Sequence, residues 1–197
     1  MNPAQRRLIV PVVSLTLGVL LLAVTAWITL RDAGGPRTGM SLVGGPFELV
    51  SHDGAPITEK DLRGKPFLVF FGFTNCPDVC PTALREISDI FTTLGADKKI
   101  AALFITVDPE RDTAASLKDY VSNFDKRIIG VTGPRPAIDA TLKSYRVYAR
   151  KIPGERGDYS MDHSTVIYLM DKQGRFVNGF NINRPAKDAA AELLRYL

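Results

Sequence analysis

The sequence predicts an α/β domain preceded by a single N-terminal transmembrane helix. Three observations support this fold class. An uncharged apolar stretch, Leu8–Leu30, lies near the N-terminus. Behind it, short apolar runs typical of buried strands alternate with the apolar periodicity of helices. The only two cysteines, Cys76 and Cys80, stand where one of these strands gives way to a helix, which makes that junction the first candidate site.

The apolar stretch Leu8–Leu30 has the length of a membrane span. Its 23 uncharged residues can cross roughly 30 Å of hydrocarbon as a helix. A cleaved signal peptide is the alternative, with a cleavage site at residues 24–26, but the apolar region of such peptides usually runs only about 7–15 residues. Arg6 and Arg7 precede the stretch, so residues 1–7 are predicted to be cytoplasmic. The sequence thus predicts a single-pass protein of the bacterial inner membrane with a periplasmic C-terminal domain.

Residues 31–45 are predicted to be a linker, and residues 46–197 a folded domain. The linker is rich in glycine and has little apolar periodicity, which is typical of a flexible spacer. The remaining stretch of about 150 residues is long enough for one domain with its own core. The formal net charge is +4, but the basic residues are scattered and do not form a patch with aromatic ones. This pattern excludes a nucleic-acid partner.

Strand and helix patterns alternate along the predicted domain. The continuous apolar run Lys65–Phe73 is typical of a strand that is covered on both faces, and Pro81 suits the first position of the following helix. The central β-α-β-α-β order requires right-handed crossovers and helices on both faces of a sheet. The predicted elements are strands Phe47–Val50, Ala55–Thr58 and Lys65–Phe73, a helix from Pro81 to Leu94, strand Lys99–Val107, a helix capped by Asp112, strand Arg127–Val131, helix Ala137–Tyr145, strands Ser164–Met170 and Arg175–Asn178, and helix Pro185–Leu197.

A strand, a cysteine-containing turn and a helix at the first crossover make the predicted fold similar to that of thioredoxin-like proteins. In open α/β sheets, ligands gather beyond the carboxyl ends of the strands, where Cys76 and Cys80 are predicted to lie. N–H groups at the start of a helix favour thiolate over thiol. Such a pair suits thiol–disulfide exchange, with Cys76 and Cys80 as the catalytic residues, or the binding of a thiophilic metal. A structural disulfide is the third possibility, although so short a loop gives little stabilisation.

His163 favours the metal-binding interpretation. It stands before the predicted strand Ser164–Met170, where thioredoxin-like catalysts carry a proline. An inert, hydrogen-bonded histidine is the alternative. Two thiolates and an imidazole suit Cu(I), and can hold Cu(II) with a further ligand, whereas structural zinc usually takes four protein ligands. Met161 is expected to be a packing residue and His52, in a hairpin turn, to be solvated; Asp78 either orients the cysteine loop or is simply exposed.

Three stretches of sequence resemble one known family. They are Phe-Gly-Phe-Thr-Asn-Cys-Pro-Asp-Val-Cys-Pro at 71–81, Ile-Thr-Val-Asp-Pro-Glu-Arg-Asp-Thr at 105–113 and Asp-His-Ser-Thr-Val-Ile-Tyr-Leu at 162–169. In this order they resemble the SCO/SenC proteins of cytochrome c oxidase assembly, and the resemblance covers residues 46–197 together with the anchor.

The resemblance implies a thioredoxin-like fold and a copper-binding metallochaperone. Its copper ligands would be Cys76, Cys80 and His163. The implied partners are the copper-binding subunit of cytochrome c oxidase, whose dinuclear copper centre receives the ion, and a periplasmic copper donor. The family also contains thiol reductases of that same centre. A thiol–disulfide oxidoreductase that keeps the client's cysteines reduced is therefore the alternative function.

Overall fold

The computed structural model describes residues 16–27, 43–154 and 157–197. The chain divides into two compact units, Met1–Met40 and Ser41–Leu197. In the first unit, residues 16–27 form a helix, α1, with exposed side chains. Among the described helices, none is both long and apolar enough to span a membrane. The rest of the predicted span Leu8–Leu30, the predicted cytoplasmic residues and most of the predicted linker lie outside the described residues.

The second unit is built on a seven-stranded mixed sheet. The strands of this unit are β1 (Glu48–Ser51), β2 (Pro56–Thr58), β3 (Phe67–Gly72), β4 (Ala101–Thr106), β5 (Ile128–Thr132), β6 (Ala149–Pro153), β7 (Tyr159–His163), β8 (Ile167–Met170) and β9 (Phe176–Gly179). The main sheet has the order β2-β1-β5-β4-β3-β8-β9. Strands β3, β4 and β5 are parallel neighbours, as the predicted β-α-β-α-β order requires.

Helices and a 3₁₀ turn cover this sheet in the part of the unit that the structure describes. They are the 3₁₀ turn Glu59–Leu62 and helices α2 (Val79–Leu94), α3 (Ala114–Val121), α4 (Arg135–Tyr145) and α5 (Ala186–Leu194). Every residue of β3 and β4 is buried, which confirms the prediction of strands covered on both faces. Helix α2 ends at Gly95, whose φ of 100° suits a residue without a side chain.

The four helices begin one or two residues away from their predicted starts, and the differences at α2 and α3 bear on the candidate site. Helix α2 begins at Val79, with Asp78 as its cap, so that Cys80 lies inside its first turn and not at the cap. Pro81 is tolerated there because the first N–H groups of a helix have no intrahelical acceptor. Helix α3 is capped by Thr113, whose hydroxyl accepts the N–H of Ser116 at 3.1 Å, and not by Asp112 as predicted. The Asp112 side chain points into the core instead.

The sequence patterns did not predict the antiparallel hairpin formed by β6 and β7. It is a separate two-stranded sheet, in which Ala149 pairs with His163 and Pro153 with Tyr159. Most of its residues are exposed or half-buried, and hence it lacks the apolar pattern of a core strand. The predicted strand Ser164–Met170 begins only at Ile167. His163 is therefore the last residue of a strand that is not hydrogen-bonded into the main sheet.

Candidate metal centre

The two cysteines lie just beyond the carboxyl end of β3, at the start of α2. The N–H of Cys76 donates to the carbonyl of Phe73 at 3.3 Å, which closes the turn after the strand. The N–H of Cys80 in turn donates to the sulfur of Cys76, with 3.4 Å between nitrogen and sulfur. Both cysteines are free thiols; Cys80 is buried and Cys76 is half-buried. The turn thus holds a covered sulfur and a more accessible one side by side.

Gly72, the last residue of β3, makes room for the buried sulfur. A Cβ atom at this position would lie 2.8 Å from the Cys80 sulfur and 2.5 Å from a carbon of the Phe104 ring. Such distances are far below the 3.5–4.0 Å of favourable carbon contacts. Only glycine allows the strand to pass this close to α2, and therefore Gly72 fixes the depth at which Cys80 sits.

His163 turns one ring nitrogen toward the cysteines. Its Nδ1 lies 2.9 Å from the carbonyl oxygen of Ser164, which can only accept a hydrogen bond, so Nδ1 carries the proton and Nε2 keeps its lone pair. Nε2 lies 3.9 Å from the Cys80 sulfur. The imidazole also meets the Phe73 ring edge-on, with ring centroids 5.7 Å apart. The backbone and an aromatic neighbour therefore hold His163 in the orientation that a metal ligand needs.

The separation between Cys80 and His163 is close to that of two ligands on one ion. Metal–sulfur and metal–nitrogen bonds of about 2.3 and 2.0 Å, at 120° to each other, put the two donor atoms about 3.7 Å apart. The observed separation of 3.9 Å between the Cys80 sulfur and the His163 Nε2 is slightly longer. A small movement of either side chain removes the difference. Among the described residues, no three histidine, cysteine, aspartate or glutamate side chains already converge as a closed metal cluster. The donor set fits a soft ion such as Cu(I), and the binding of an ion would draw its members together.

Burial makes the Cys80 sulfur a thiol in the metal-free protein. Desolvation raises the pKa of Cys80, and the adjacent Cys76 sulfur and the Asp112 carboxylate raise it further. The sequence-based expectation that the helix terminus favours thiolate is therefore wrong for Cys80, because desolvation outweighs the favourable N–H groups. An ion that binds there must displace the proton, so metal binding at this sulfur releases a proton.

The Asp112 carboxylate is hydrogen-bonded to the segment that leads into the cysteine turn. Its carboxylate accepts hydrogen bonds from the N–H and the hydroxyl of Thr74, at 3.0 and 2.5 Å, and from the hydroxyl of Thr106 at 2.6 Å. Desolvation raises the pKa of Asp112 in spite of these donors. The local sequence predicts a helix cap at Asp112 and contains no signal for this contact with the segment that carries Cys76.

Arg111 connects the loop that follows β4 to the β6–β7 hairpin. Its Nη1 donates to the carbonyl of Tyr159 at 2.9 Å, and its Nε donates to the buried carboxylate of Asp108. The Tyr159 hydroxyl donates to the other oxygen of Asp108 at 2.8 Å. Arg111 lies in the stretch 105–113 that resembles the SCO/SenC proteins, but its role was not predicted from sequence. Three acids and an arginine directly after a buried strand, at 108–112, are the signal that the sequence offers.

The other residues singled out from sequence lie outside this arrangement. Met161 is 8% exposed and packs in the core, as expected. Asp78 is exposed and caps α2 through its backbone, with the Thr82 N–H donating to its carbonyl at 3.1 Å. His52 is not solvated as predicted: its side chain is 18% exposed, and its Nδ1 accepts the N–H of Gly130 at 3.0 Å. It ties the first hairpin to β5 and has no part in the site.

Comparison with known proteins identifies the fold. The solved structure of ScoI from Bradyrhizobium japonicum, with copper bound, is 53% identical, with a TM-score of 0.77 over 79% of this chain and 99% of that one. The solved structure of BsSco, described as a member of the Sco family of cytochrome c oxidase assembly proteins with a disulfide switch, is 25% identical, with a TM-score of 0.63 over 80% of this chain and 94% of that one. The second unit therefore has the α/β thioredoxin-like fold of the Sco proteins, as predicted.

Sequence comparison identifies the family. A SCO2-like protein of Rickettsia felis is 34% identical over 190 residues, which cover 91% of this chain and 92% of that protein. The chain spans about half the length, 45% to 57%, of the mitochondrial SCO1 homologues of Arabidopsis thaliana, mouse and human that it matches. The pattern of the SCO1/SenC family matches residues 35–197. On this evidence, the chain belongs to the SCO1/SenC family.

Proposed function

We propose that this chain is a membrane-anchored periplasmic metallochaperone. It binds one copper ion through Cys76, Cys80 and His163 and passes it to the copper-binding subunit of cytochrome c oxidase, where it helps to assemble the dinuclear copper centre. The observation that carries the proposal is the 3.9 Å approach of the His163 Nε2 to the Cys80 sulfur, in a turn that also holds Cys76. The copper in ScoI supports the choice of metal, and the description of BsSco supports the oxidase as client.

The proposal includes a location. Leu8–Leu30 anchors the chain in the bacterial inner membrane, residues 1–7 are cytoplasmic, residues 31–45 are a linker, and residues 46–197 form the copper-binding domain in the periplasm. The charges around the apolar stretch and the similarity to a bacterial relative support it. A periplasmic donor would then supply the copper. A reporter enzyme that is active only in the periplasm, fused after Leu197, should be active; activity restricted to a cytoplasmic reporter would refute this orientation.

Copper is the cargo in this role, and the donor set decides how each oxidation state is held. Cu(I) is satisfied by the two sulfurs, whereas Cu(II) needs the imidazole of His163 as well. The substitution His163→Ala should therefore weaken Cu(II) binding strongly and Cu(I) binding much less. The measurement is a competitive copper titration of the full-length chain, purified reduced and metal-free. His52→Ala is the matched control, because it removes the other histidine and leaves the cysteine turn untouched.

The outcomes of this titration separate the assignments clearly. A Cu(II) affinity equal to that of the wild type, together with an unchanged Cu(II) spectrum in His163→Ala, would show that His163 is not a ligand. Loss of Cu(II) binding in His52→Ala as well would point to a general loss of structure. We expect only the first variant to change the spectrum.

An open groove beside the site gives a client room to approach. It has a volume of about 470 Å³ and runs between the start of α2 and the segment after His163. Val79 and Val166 line it and are 49% and 45% exposed. Because Val79 directly precedes Cys80 and Val166 follows shortly after His163, a protein segment seated in this groove would bring its own donors next to the bound ion.

Thiol–disulfide exchange is the second candidate function, and the half-buried Cys76 favours it. An accessible sulfur beside a covered one suits attack by Cys76 on a client disulfide, followed by resolution of the mixed disulfide by Cys80. Two electrons then pass from the cysteine pair to the client, whose two thiols are restored. Both cysteines must be thiols to start such a reaction.

The two functions respond differently to loss of His163. The substitution removes the imidazole but leaves both sulfurs free to react. For a copper carrier, His163→Ala should abolish oxidase maturation in cells under limiting copper while the purified variant still reduces a model disulfide. Normal oxidase activity in this strain would instead support the reductase function. A Cys80→Ala strain should lose maturation under either function and serves as the reference for complete loss.

A further inference from the structure

We infer that Arg111 is a positioning residue for the copper ligand His163. It clamps the hairpin that carries His163 to the turn that carries the cysteines, and so sets the distance between imidazole and sulfur. This inference rests on the proposed copper-binding function and adds to it a residue that never touches the ion.

The hairpin needs such a clamp because it stands apart from the main sheet. Among the described strands, β6 and β7 pair only with each other, so no ladder of backbone hydrogen bonds between these strands and the main sheet fixes β7 relative to β3. Of the five residues of β7, only Met161 is buried. Beyond the chain connections to α4 and β8 at its base, the position of the hairpin that carries His163 depends on side-chain contacts with the body of the domain.

Arg111 makes three of these contacts at the opposite end of β7. Its Nη1 donates to the Tyr159 carbonyl at 2.9 Å, its guanidinium carbon lies 3.7 Å from the centre of the Tyr159 ring, and its Nη1 lies 3.4 Å from a carboxylate oxygen of Asp158. Its Nε binds the fully buried Asp108, which also accepts the Tyr159 hydroxyl. One guanidinium thus fixes the backbone, the ring and, through Asp108, the hydroxyl of the same tyrosine.

The Arg111 guanidinium also contacts Phe73, which lies between Arg111 and His163. Its central carbon lies 6.0 Å from the centre of the Phe73 ring, and that ring meets the His163 imidazole edge-on. Phe73 in turn accepts the N–H of Cys76. Arg111 therefore contacts both parts that must keep their separation, the hairpin through Tyr159 and the cysteine turn through Phe73.

Neutralising the buried Asp108 is the simpler role for this arginine, since a neighbouring cation stabilises a buried carboxylate. A lysine can supply that charge, but it lacks the planar fork that binds a carboxylate and a carbonyl together while it lies on a ring. The conservative variant Arg111→Lys therefore separates the two roles. It keeps the charge next to Asp108 and loses the clamp on Tyr159.

The test compares Arg111→Lys with Arg127→Lys in the full-length, metal-free, reduced chain. Arg127 is a close match: it binds the Asp125 carboxylate, donates to the Gly95 carbonyl at 2.8 Å and lies over the Phe91 ring at 4.9 Å, but it has no hydrogen bond or ring contact with the described residues of the hairpin. Arg111→Lys should lower Cu(II) affinity about 10- to 100-fold, as removal of outer-shell partners typically does. Its Cu(II) electron paramagnetic resonance spectrum should move toward that of His163→Ala, while Cu(I) affinity is kept. Arg127→Lys should match the wild type in all three measurements.

A measurement without copper tests the clamp directly. Amide hydrogen exchange across the β6–β7 ladder, for example at Met161, should be faster in Arg111→Lys than in the wild type, with exchange in β3 and β4 unchanged. Tyr159→Leu removes the ring and hydroxyl contacts of the clamp, leaves the Arg111–Asp108 pair and the bond to the backbone carbonyl in place, and should raise exchange in the same segment. This second variant decides the question if Arg111→Lys does not fold.

A double variant completes the design. In a His163→Ala background, Arg111→Lys should cause no further loss of Cu(II) affinity, because the ligand that it positions is absent. An additive loss, or wild-type Cu(II) binding in both Arg111→Lys and Tyr159→Leu, would overturn the positioning role alone. Wild-type Cu(II) binding by His163→Ala would overturn the ligand assignment itself, and the positioning role with it.

Discussion

Replacing Gly72 with alanine would add a methyl group between the Cys80 sulfur and the Phe104 ring. The new Cβ would lie 2.5 Å from a ring carbon, at least 1.0 Å short of a favourable carbon contact of about 3.5 Å. Neither neighbour has room to withdraw, since Cys80 and Phe104 are both 0% exposed. Either the strand or the start of α2 must therefore move.

The structure sets the size of this effect. Overpacking a well-filled core typically costs about 1–3 kcal/mol, and two contacts this short place Gly72→Ala near the upper end, about 3 kcal/mol. For a chain of this size, such a loss lowers the melting temperature by about 6–12 °C. Displacement of Cys80 should also weaken Cu(I) binding, because that sulfur is one of the two proposed thiolate ligands.

Thermal and urea unfolding of the metal-free, reduced chain measure the first effect, and competitive Cu(I) titration the second. Gly179→Ala is the control. Gly179 also ends a strand, but its added Cβ would meet only a methyl carbon of Val166, at an ordinary 3.5 Å. If Gly72→Ala proved as stable as Gly179→Ala, the reasoning about the close approach of β3 and α2 would be refuted.

Three further predictions concern other contacts of the fold and site. Arg127→Ala should lower the free energy of unfolding by about 2–3 kcal/mol at pH 7, because it strips a largely buried carboxylate, Asp125, of its guanidinium. The hydrogen bond from Arg127 lowers the pKa of Asp125, so this contribution is present above about pH 4 and should fade as the pH falls further in urea titrations; a difference that grew in acid would contradict it. Thr113→Ala should cost about 1 kcal/mol in thermal unfolding, since it removes the hydroxyl cap of α3; no loss would mean that the cap is dispensable. Oxidation of Cys76 and Cys80 to a disulfide should abolish copper uptake, because no thiolate remains, whereas uptake at the affinity of the reduced chain would place the site elsewhere.

The elements that the sequence predicts well are those whose signal is local. The continuous apolar run of β3, the periodicity of α2 and the glycine after it each determine structure within a few residues. The cysteine turn was predictable for the same reason, because a strand signal and a helix signal meet there. His163 could be placed next to it only through the general order of the fold, and the 3.9 Å contact supports that placement.

The elements that the sequence does not predict are held by contacts distant in sequence. Asp112 precedes Thr113 and two alanines, a local pattern that suits a helix cap, yet Thr74 and Thr106 donate to its carboxylate from other segments. The β6–β7 hairpin is polar on most of its surface, and the side chain that fixes it, Arg111, lies nearly 40 residues before its first strand. Local propensity carries no information about either arrangement.

The ligands of the proposed copper site lie in parts of the domain that are held in place in different ways. Cys80 is held by the core under β3, whereas His163 ends a hairpin without strand pairing to the main sheet. A copper carrier must hold its ion and later release it. Ligand exchange allows both when one ligand can leave while the rest of the domain stays folded. Moving the hairpin breaks a local set of contacts, while moving Cys80 would open the core. In the proposed transfer, a donor of the client therefore replaces His163 first, and the two sulfurs keep hold of Cu(I) until further client donors arrive.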